Sequence, residues 1–257
     1  MIIAVTSPVH GQSGNTTTAI LLSLMLAKKG HKRVCLTHLA GKSSSFYDYL
    51  GLQALEDKLT APSQVVKLLR EGSISASELT DYTMHVCDDL DIFGNNGDTV
   101  TDEEMDTAQK HILGHMPHDF TIADVDVNTA RPIGKHILKT SDIVVITLTQ
   151  SHNVLGRYKE IYEPMAGKTV FVCNHYSPHV GSIQSLGKSL GVSPKQICPI
   201  SHSDSIQKLS NEGKLASLLE FVKTAPLPGL EADLRTLSQA VMTRYNLGNM
   251  RKAGNRK

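Results

Sequence analysis

Short apolar, β-branched runs recur along the chain and alternate with stretches in which apolar positions return every three or four residues. The first pattern marks buried strands and the second marks helices with one apolar face. Strands are predicted at 2–6, 33–39, 90–93, 120–125, 143–148, 169–174 and 196–199. A helix over 16–29 places Ile20, Leu21, Leu24 and Met25 on a core-facing stripe, and Gly30 stops it. Another over 63–70, read as capped, has Val65, Val66, Leu68 and Leu69 as its buried side. Thr101-Asp102-Glu103-Glu104 has the capping-box pattern for a helix running to about residue 116, ahead of Pro117. The segment 40–84 is the least regular and reads as an excursion from the sheet.

Strand and helix alternate from the first residue to about residue 224. That order predicts an α/β fold, a doubly wound, mostly parallel sheet with helices on both faces. Ala225-Pro226-Leu227-Pro228-Gly229 interrupts the pattern and reads as a linker. Beyond it, Leu230, Leu234, Leu237 and Val241 fall on one helical face, and residues 231–257 hold six Lys/Arg against two Asp/Glu. The expected organisation is a domain over 1–224, a linker over 225–229, and an amphipathic helix with a basic tail over 230–257.

At 257 residues, 40% hydrophobic and 20% charged, the chain is long enough for one sizeable domain and has the balance of a soluble protein. A formal net charge of +1 gives no global attraction to nucleic acid, so such binding falls to a local patch such as the tail. Met1 to Thr6 has no basic leader and reads as a strand, which predicts a cytoplasmic protein. No apolar stretch approaches the roughly 20 residues that span a bilayer. The four cysteines, Cys35, Cys87, Cys173 and Cys198, are far apart, and three lie in strand-like runs, so all are read as reduced core residues.

Candidate chemistry gathers between the first strand and the first helix, at Ser7-Pro8-Val9-His10-Gly11-Gln12-Ser13-Gly14-Asn15-Thr16-Thr17-Thr18. Glycines permit a tight turn, after which successive amides and a helix N-terminus face an anion. Gly11, Gln12, Ser13, Gly14, Asn15, Thr16 and Thr17 are therefore candidate phosphate-binding residues. Thr16 is also placed to put its hydroxyl on a magnesium ion. His111 and His115 stand four apart with His118 nearby, but they lack the intervening glutamate of a zinc protease.

Here the sequence resembles the deviant P-loop ATPases of the ParA/MinD type, whose loop reads Lys-Gly-Gly-x-Gly-Lys-Thr-Thr. Gly11, Gly14, Thr16 and Thr17 match that motif, while His10 stands at the signature lysine, Gln12 at a glycine and Asn15 at the phosphate-binding lysine. After the second strand, His38-Leu39-Ala40-Gly41-Lys42-Ser43 takes the place of Asp-x-Asp-Pro-Gln-Gly, so His38 replaces the switch carboxylate. Phe120 to Asp126 resembles the Walker B strand, with Asp124 at the carboxylate that holds magnesium through water and Asp126 on the same face. Residues 139–151 are similar to the strand Ala-Asp-x-Val-Ile-Val-Pro and the loop after it. Thr169 to Asn174 resembles the strand whose terminal asparagine reads the adenine edge. Ile197-Cys198-Pro199-Ile200 is similar to the segment that flanks the base, and Ser210 to Gly213 to the helix pattern that follows. The matches keep the family's order across about residues 1–224.

The resemblance implies a P-loop NTPase fold, ATP or ADP as ligand, magnesium at Thr16 and Asp124, and base contacts from Asn174 and Pro199. It also implies homodimers that position or partition DNA or a large cellular assembly. Phosphoryl transfer depends on cations that clamp developing charge, and losing one such donor costs about 10²–10³ in rate. With two lysines and a switch acid replaced, slow or absent hydrolysis is expected, and no catalytic residue is assigned. Main-chain amides and the helix dipole remain for binding. Lys42 and Arg131 are candidate substitute cations.

Three outputs are compatible with this reading. One is partition, with non-specific DNA held by the basic tail. Another is a pseudo-ATPase scaffold, resembling atypical ParA-like proteins such as TadZ that localise pilus or secretion machinery through protein contacts. Membrane attachment through the terminal helix is weakened by its short stripe, which has no Trp or Phe.

Overall fold

The computed structural model describes residues 1–9, 11, 13–38, 45–52, 60–87, 89–94, 111–125, 132–161, 167–218, 220 and 228–254. The first elements are β1 (Ile2–Thr6), α1 (Asn15–Lys28), β2 (Val34–His38), α2 (Ser45–Leu50) and α3 (Pro62–Arg70). After a 3-10 segment, Ala76–Tyr82, come β3 (Met84–Cys87), β4 (Leu90–Phe93), β5 (Phe120–Asp124), α4 (Pro132–Thr140) and β6 (Ile143–Leu148). The chain continues with α5 (His152–Ile161), β7 (Thr169–Tyr176), α6 (Ile183–Leu190), β8 (Ile197–Ser201), α7 (Asp204–Asn211) and α8 (Pro228–Gly254).

The eight strands among the described residues join one sheet in the order β3-β4-β2-β5-β1-β6-β7-β8. Every neighbouring pair is parallel except β3 with β4. The chain leaves β1 for one half of the sheet and returns to its other side at β6. Such a reversal opens a crevice at the carboxyl ends of the strands, where open α/β sheets bind ligands. In register, Val5 stands beside Asp124 on β5, and His38 stands beside Asp124 from the other side. The end of β5 is thus flanked by the ends of β1 and β2.

Successive side chains leave opposite faces of a strand, so each central strand feeds two cores. Ile3, Val5, Ile122, Val145 and Val172 pack with α1 and α8 on one face. Ala4, Ala123, Val144, Ile146 and Phe171 pack with Ile137 and Leu138 of α4, Tyr158 of α5 and Leu186 of α6 on the other. A smaller cluster sets Cys35 and Phe93 against Val65 and Val66 of α3. Burial pushes the Cys173 thiol up to about 12 and the Cys198 thiol up to about 11, with Asp233 adding to the latter. These are inert packing groups.

Several expectations are corrected. The stripe predicted for α1 is a complete buried girth, Thr18 to Ala27, because α8 covers the side that would otherwise face solvent. In α3, Val65 and Val66 are buried while Leu68 and Leu69 are only half-buried, and Pro62 opens the helix without a side-chain cap. The irregular region ends in an unpredicted strand, β3, an antiparallel edge. The strands predicted at 33–39, 120–125, 169–174 and 196–199 run instead over Val34–His38, Phe120–Asp124, Thr169–Tyr176 and Ile197–Ser201. Pro228 and Gly229, assigned to the linker, are the first residues of α8, a 27-residue helix. The capping box at 101–104 and linker residues 225–227 lie outside the described residues.

Leu230, Leu234, Leu237 and Val241 are all buried in the same cluster as α1. No helix among the described residues is long and apolar enough to cross a membrane. Leu237 is fully buried. Leu237→Ala is expected to lower the unfolding free energy by about 2–5 kcal/mol in urea titration. Gln239→Ala, on the exposed side of α8, should change it by no more than about 0.5 kcal/mol.

Candidate functional site

The loop after β1 turns twice through the left-handed region, at Gly11 (φ 76°) and Gly14 (φ 66°), conformations that glycine adopts without a Cβ clash. Gly14 is the N-cap of α1 and contributes no side chain to it. The first intrahelical bond runs from the Thr18 amide to the Gly14 carbonyl, so the amides of residues 15–17 precede that ladder. Hydroxyls tie the ends of the loop together. Ser7 Oγ donates to the Val9 carbonyl at 2.9 Å and accepts from the buried Ser13 hydroxyl.

Asn15 turns inward. Its Nδ2 donates to Asp124 Oδ1 at 2.6 Å and lies 3.3 Å from the carbonyls of Val5 and Val125. Its Oδ1 lies 3.1 Å from the Thr147 hydroxyl, which is also 3.1 Å from the Thr6 carbonyl. One side chain therefore links β1, β5 and β6 at their carboxyl ends. The other oxygen of Asp124 is engaged too: His38 Nδ1 sits 3.0 Å from Asp124 Oδ2, and a proton on Nδ1 joins them. Asp124 is 2% exposed. A carboxylate this deep requires partners, and it has one on each oxygen.

The Asp124 end of the magnesium site implied by the resemblance is already engaged by side-chain nitrogens. Mg²⁺ demands a near-octahedral shell of oxygens at about 2.0–2.1 Å. Each Asp124 oxygen already has a nitrogen partner, and at 2% exposure the carboxylate leaves little surface for a hydrated ion, so even the through-water contact implied by the resemblance would require His38 or Asn15 to move. Thr16, the second position of α1, is half-buried. His10, Gln12, Lys42, Asp126 and Arg131 lie outside the described residues.

Asn174, at the carboxyl end of β7, is 7% exposed. Its Nδ2 donates to the Ser13 carbonyl and lies 2.9 Å from Thr18 Oγ1. The donor half of the base-reading role implied by the resemblance is therefore already used to brace the loop. A Cβ added at Gly14 would come within 3.0 Å of that same nitrogen. Pro199 pairs with Cys173 within the sheet and is half-buried. Its neighbour Ile200 lines the cavity instead.

That cavity, about 370 Å³, lies between the loop and the ends of β7 and β8. Gly11, Gly14 and Thr17 form one wall; Asn174, His175, Ile200, His202 and Gln207 contribute to the others. His175 is a non-glycine residue at φ 53°, placed where β7 bulges between Asn174 and Tyr176. Its Nδ1 is 3.1 Å from His202 Nδ1, while His202 Nε2 is 2.9 Å from Asp204 Oδ1. Burial, and then the charge of His202, hold the His175 pKa below its ordinary value. Ser7 and Thr147 lie within segments compared with the family but were given no role from sequence, and His175 and His202 fall in no motif.

The other histidines go separate ways. His111 meets Arg70, His115 the His111 carbonyl, and His118 Asp91. Among the described residues no group of three or more His, Cys, Asp or Glu is arranged to hold a metal ion.

No family model and no curated protein matches the sequence. Solved structures do. A chain of the MinC:MinD cell division protein complex of Aquifex aeolicus superposes with a TM-score of 0.69 at 16% identity, over 94% of this chain and 95% of that one. A ParA family ATPase from Chlorobium tepidum TLS gives 0.68 at 16% identity, over 91% and 95%. The septum site-determining protein MinD from Pyrococcus horikoshii OT3, complexed with Mg-ADP, gives 0.67 at 18% identity, over 93% and 95%. The chain has the P-loop NTPase fold of the ParA/MinD type.

Two tests address the geometry. Gly14→Ala forces a Cβ into a left-handed position against Asn174, and should cost about 1–2 kcal/mol in urea titration. Because the folded pKa of His175 is depressed, its contribution to stability is full above its ordinary value of 6.5 and drains as pH falls below that. Stability measured from neutral pH to about pH 5 should fall. The fall should be shallower in His202→Gln, where one like charge is gone.

Proposed function

We propose that this chain is a ParA/MinD-type protein that binds a nucleotide at the loop after β1, hydrolyses ATP slowly or not at all, and positions or partitions DNA or a large assembly. The inward turn of Asn15 carries the proposal. Where the motif has its phosphate-binding lysine, this chain has a neutral side chain spent on Asp124. No cation reaches the cavity from that position to clamp charge on a transferring phosphoryl group. What supports binding is the pair of left-handed glycines, the amides at the start of α1 and the adjoining cavity, whose volume lies in the range of small-molecule sites.

In this reading residues 1–224 carry the nucleotide site, and the segment 230–257 adds a helix and a basic tail. The protein works in the cytoplasm as a homodimer. The same inward Asn15 favours a second reading of the output, a pseudo-ATPase scaffold of the TadZ kind that acts through protein contacts. Turnover is then dispensable and the partner surface is what matters.

Two measurements test these readings. Phosphate release from ATP should be at least about 10²-fold slower than that of a lysine-bearing ParA/MinD-type ATPase assayed alongside. An equal rate would overturn the claim of impaired turnover. DNA retention that weakens linearly with log salt supports partition through the basic tail. Absence of retention at low salt leaves the scaffold reading.

A further inference from the structure

Asp124 is the residue on which a metal-dependent phosphate site of this fold would rest, and in this chain its oxygens serve another purpose. Oδ1 accepts from Asn15 at 2.6 Å, and Oδ2 lies 3.0 Å from His38 Nδ1. Both partners come from positions where the ParA/MinD motif carries charge, a lysine in one case and a carboxylate in the other. The two replacements meet on one buried acid. His38 is fixed by the register of β2 on β5, which sets it directly beside Asp124. Its ring also stacks near Phe46 of α2, with centroids 6.1 Å apart. Asn15 is fixed by Thr147 on β6. With Asp124 only 2% exposed, a hydrated divalent cation could meet either oxygen only by displacing the side chain already on it, stranding an amide or an imidazole in a buried setting.

From this geometry we infer that the loop takes nucleoside phosphates in metal-free form. Asn15, Asp124 and His38 act together as a strut that holds the carboxyl ends of β1, β2, β5 and β6. The inference rests on the proposed nucleotide site and adds that magnesium plays no part in it. His38 and Asn15 are positioning residues: they satisfy Asp124 and touch no ligand. Phosphate recognition is left to the main-chain amides around Gly14 and to the N-terminal end of α1.

The test is calorimetric titration of the full chain with ADP, once with magnesium in excess and once with EDTA in excess. Dissociation constants agreeing within about twofold are expected, and tightening of about tenfold or more with magnesium overturns the inference. A second arm follows Mn²⁺ by electron paramagnetic resonance on the protein without nucleotide. The native chain should take up no Mn²⁺ at Asp124, whereas His38→Ala, which frees Oδ2, should gain uptake that a further Asp124→Asn change removes. Native uptake lost in Asp124→Asn, or a His38→Ala protein as indifferent to Mn²⁺ as the native chain, counts against the strut. His38→Gln takes the place of His38→Ala if circular dichroism shows that the alanine variant is unfolded. Should ADP fail to bind under either condition, the nucleotide reading falls, and the Mn²⁺ arm still decides whether the acid is closed to metal.

Discussion

A carboxylate buried at the end of a central strand is the constraint around which the loop is built. Left without partners in that position, a carboxylate would cost several kcal/mol. The chain resolves this with one hydrogen bond from each side, from the first residue of α1 and from the last residue of β2. Because Asn15 also reaches β6 through Thr147, satisfying one acid fixes where α1 begins relative to three strands. The turn that precedes α1 is tied to the sheet at its described residues. Ser7 with Ser13, and Asn174 with Ser13 and Thr18, brace it from both ends.

This arrangement joins two substitutions that look independent along the chain. A lysine at the position of Asn15 would carry a charge out toward phosphate, and an acid at the position of His38 would stand beside another acid. Asparagine and histidine instead give each Asp124 oxygen a partner, while the far ring nitrogen of His38, Nε2, is buried with no hydrogen-bond partner among the described residues. The described residues of the loop are held by internal bonds. The cavity beside it has the left-handed Gly11 and Gly14 with Thr17 on one wall and a histidine pair on another. Its electrostatics are thus set by main-chain dipoles and the two imidazoles, with no fixed cation among the described residues of its walls.

Much of the sheet was legible because parallel strands buried on both faces read as continuous apolar runs, and seven of them stand out. The eighth, β3, escaped because it is a four-residue edge whose side chains are half-buried or exposed, and whose partner is antiparallel. Strand β7 was cut short at Asn174 because the bulge and left-handed His175 lie beyond the apolar run. The girth of α1 had a signal in Ala19 to Ala27, which is apolar nearly all round. A one-stripe reading missed it, since the covering element lies at the far end of the chain.

In the site, the position of the loop and of Asp124 followed from strand order. The direction of Asn15 did not. Its partners Asp124 and Thr147 are 109 and 132 residues away, and only the folded sheet brings them within reach. The same holds for His175, on β7, and His202, just past the end of β8, which meet beside an irregularity that sequence does not announce.

The central claim is that main-chain amides at the turn into α1 hold phosphate without cationic help. Amide chemical-shift perturbation on isotope-labelled protein titrated with ADP tests it most directly. The account predicts that the largest shifts fall on Gly11 and on Ser13 through Thr17. Shifts confined to other parts of the chain, or none at saturating ADP, would contradict it.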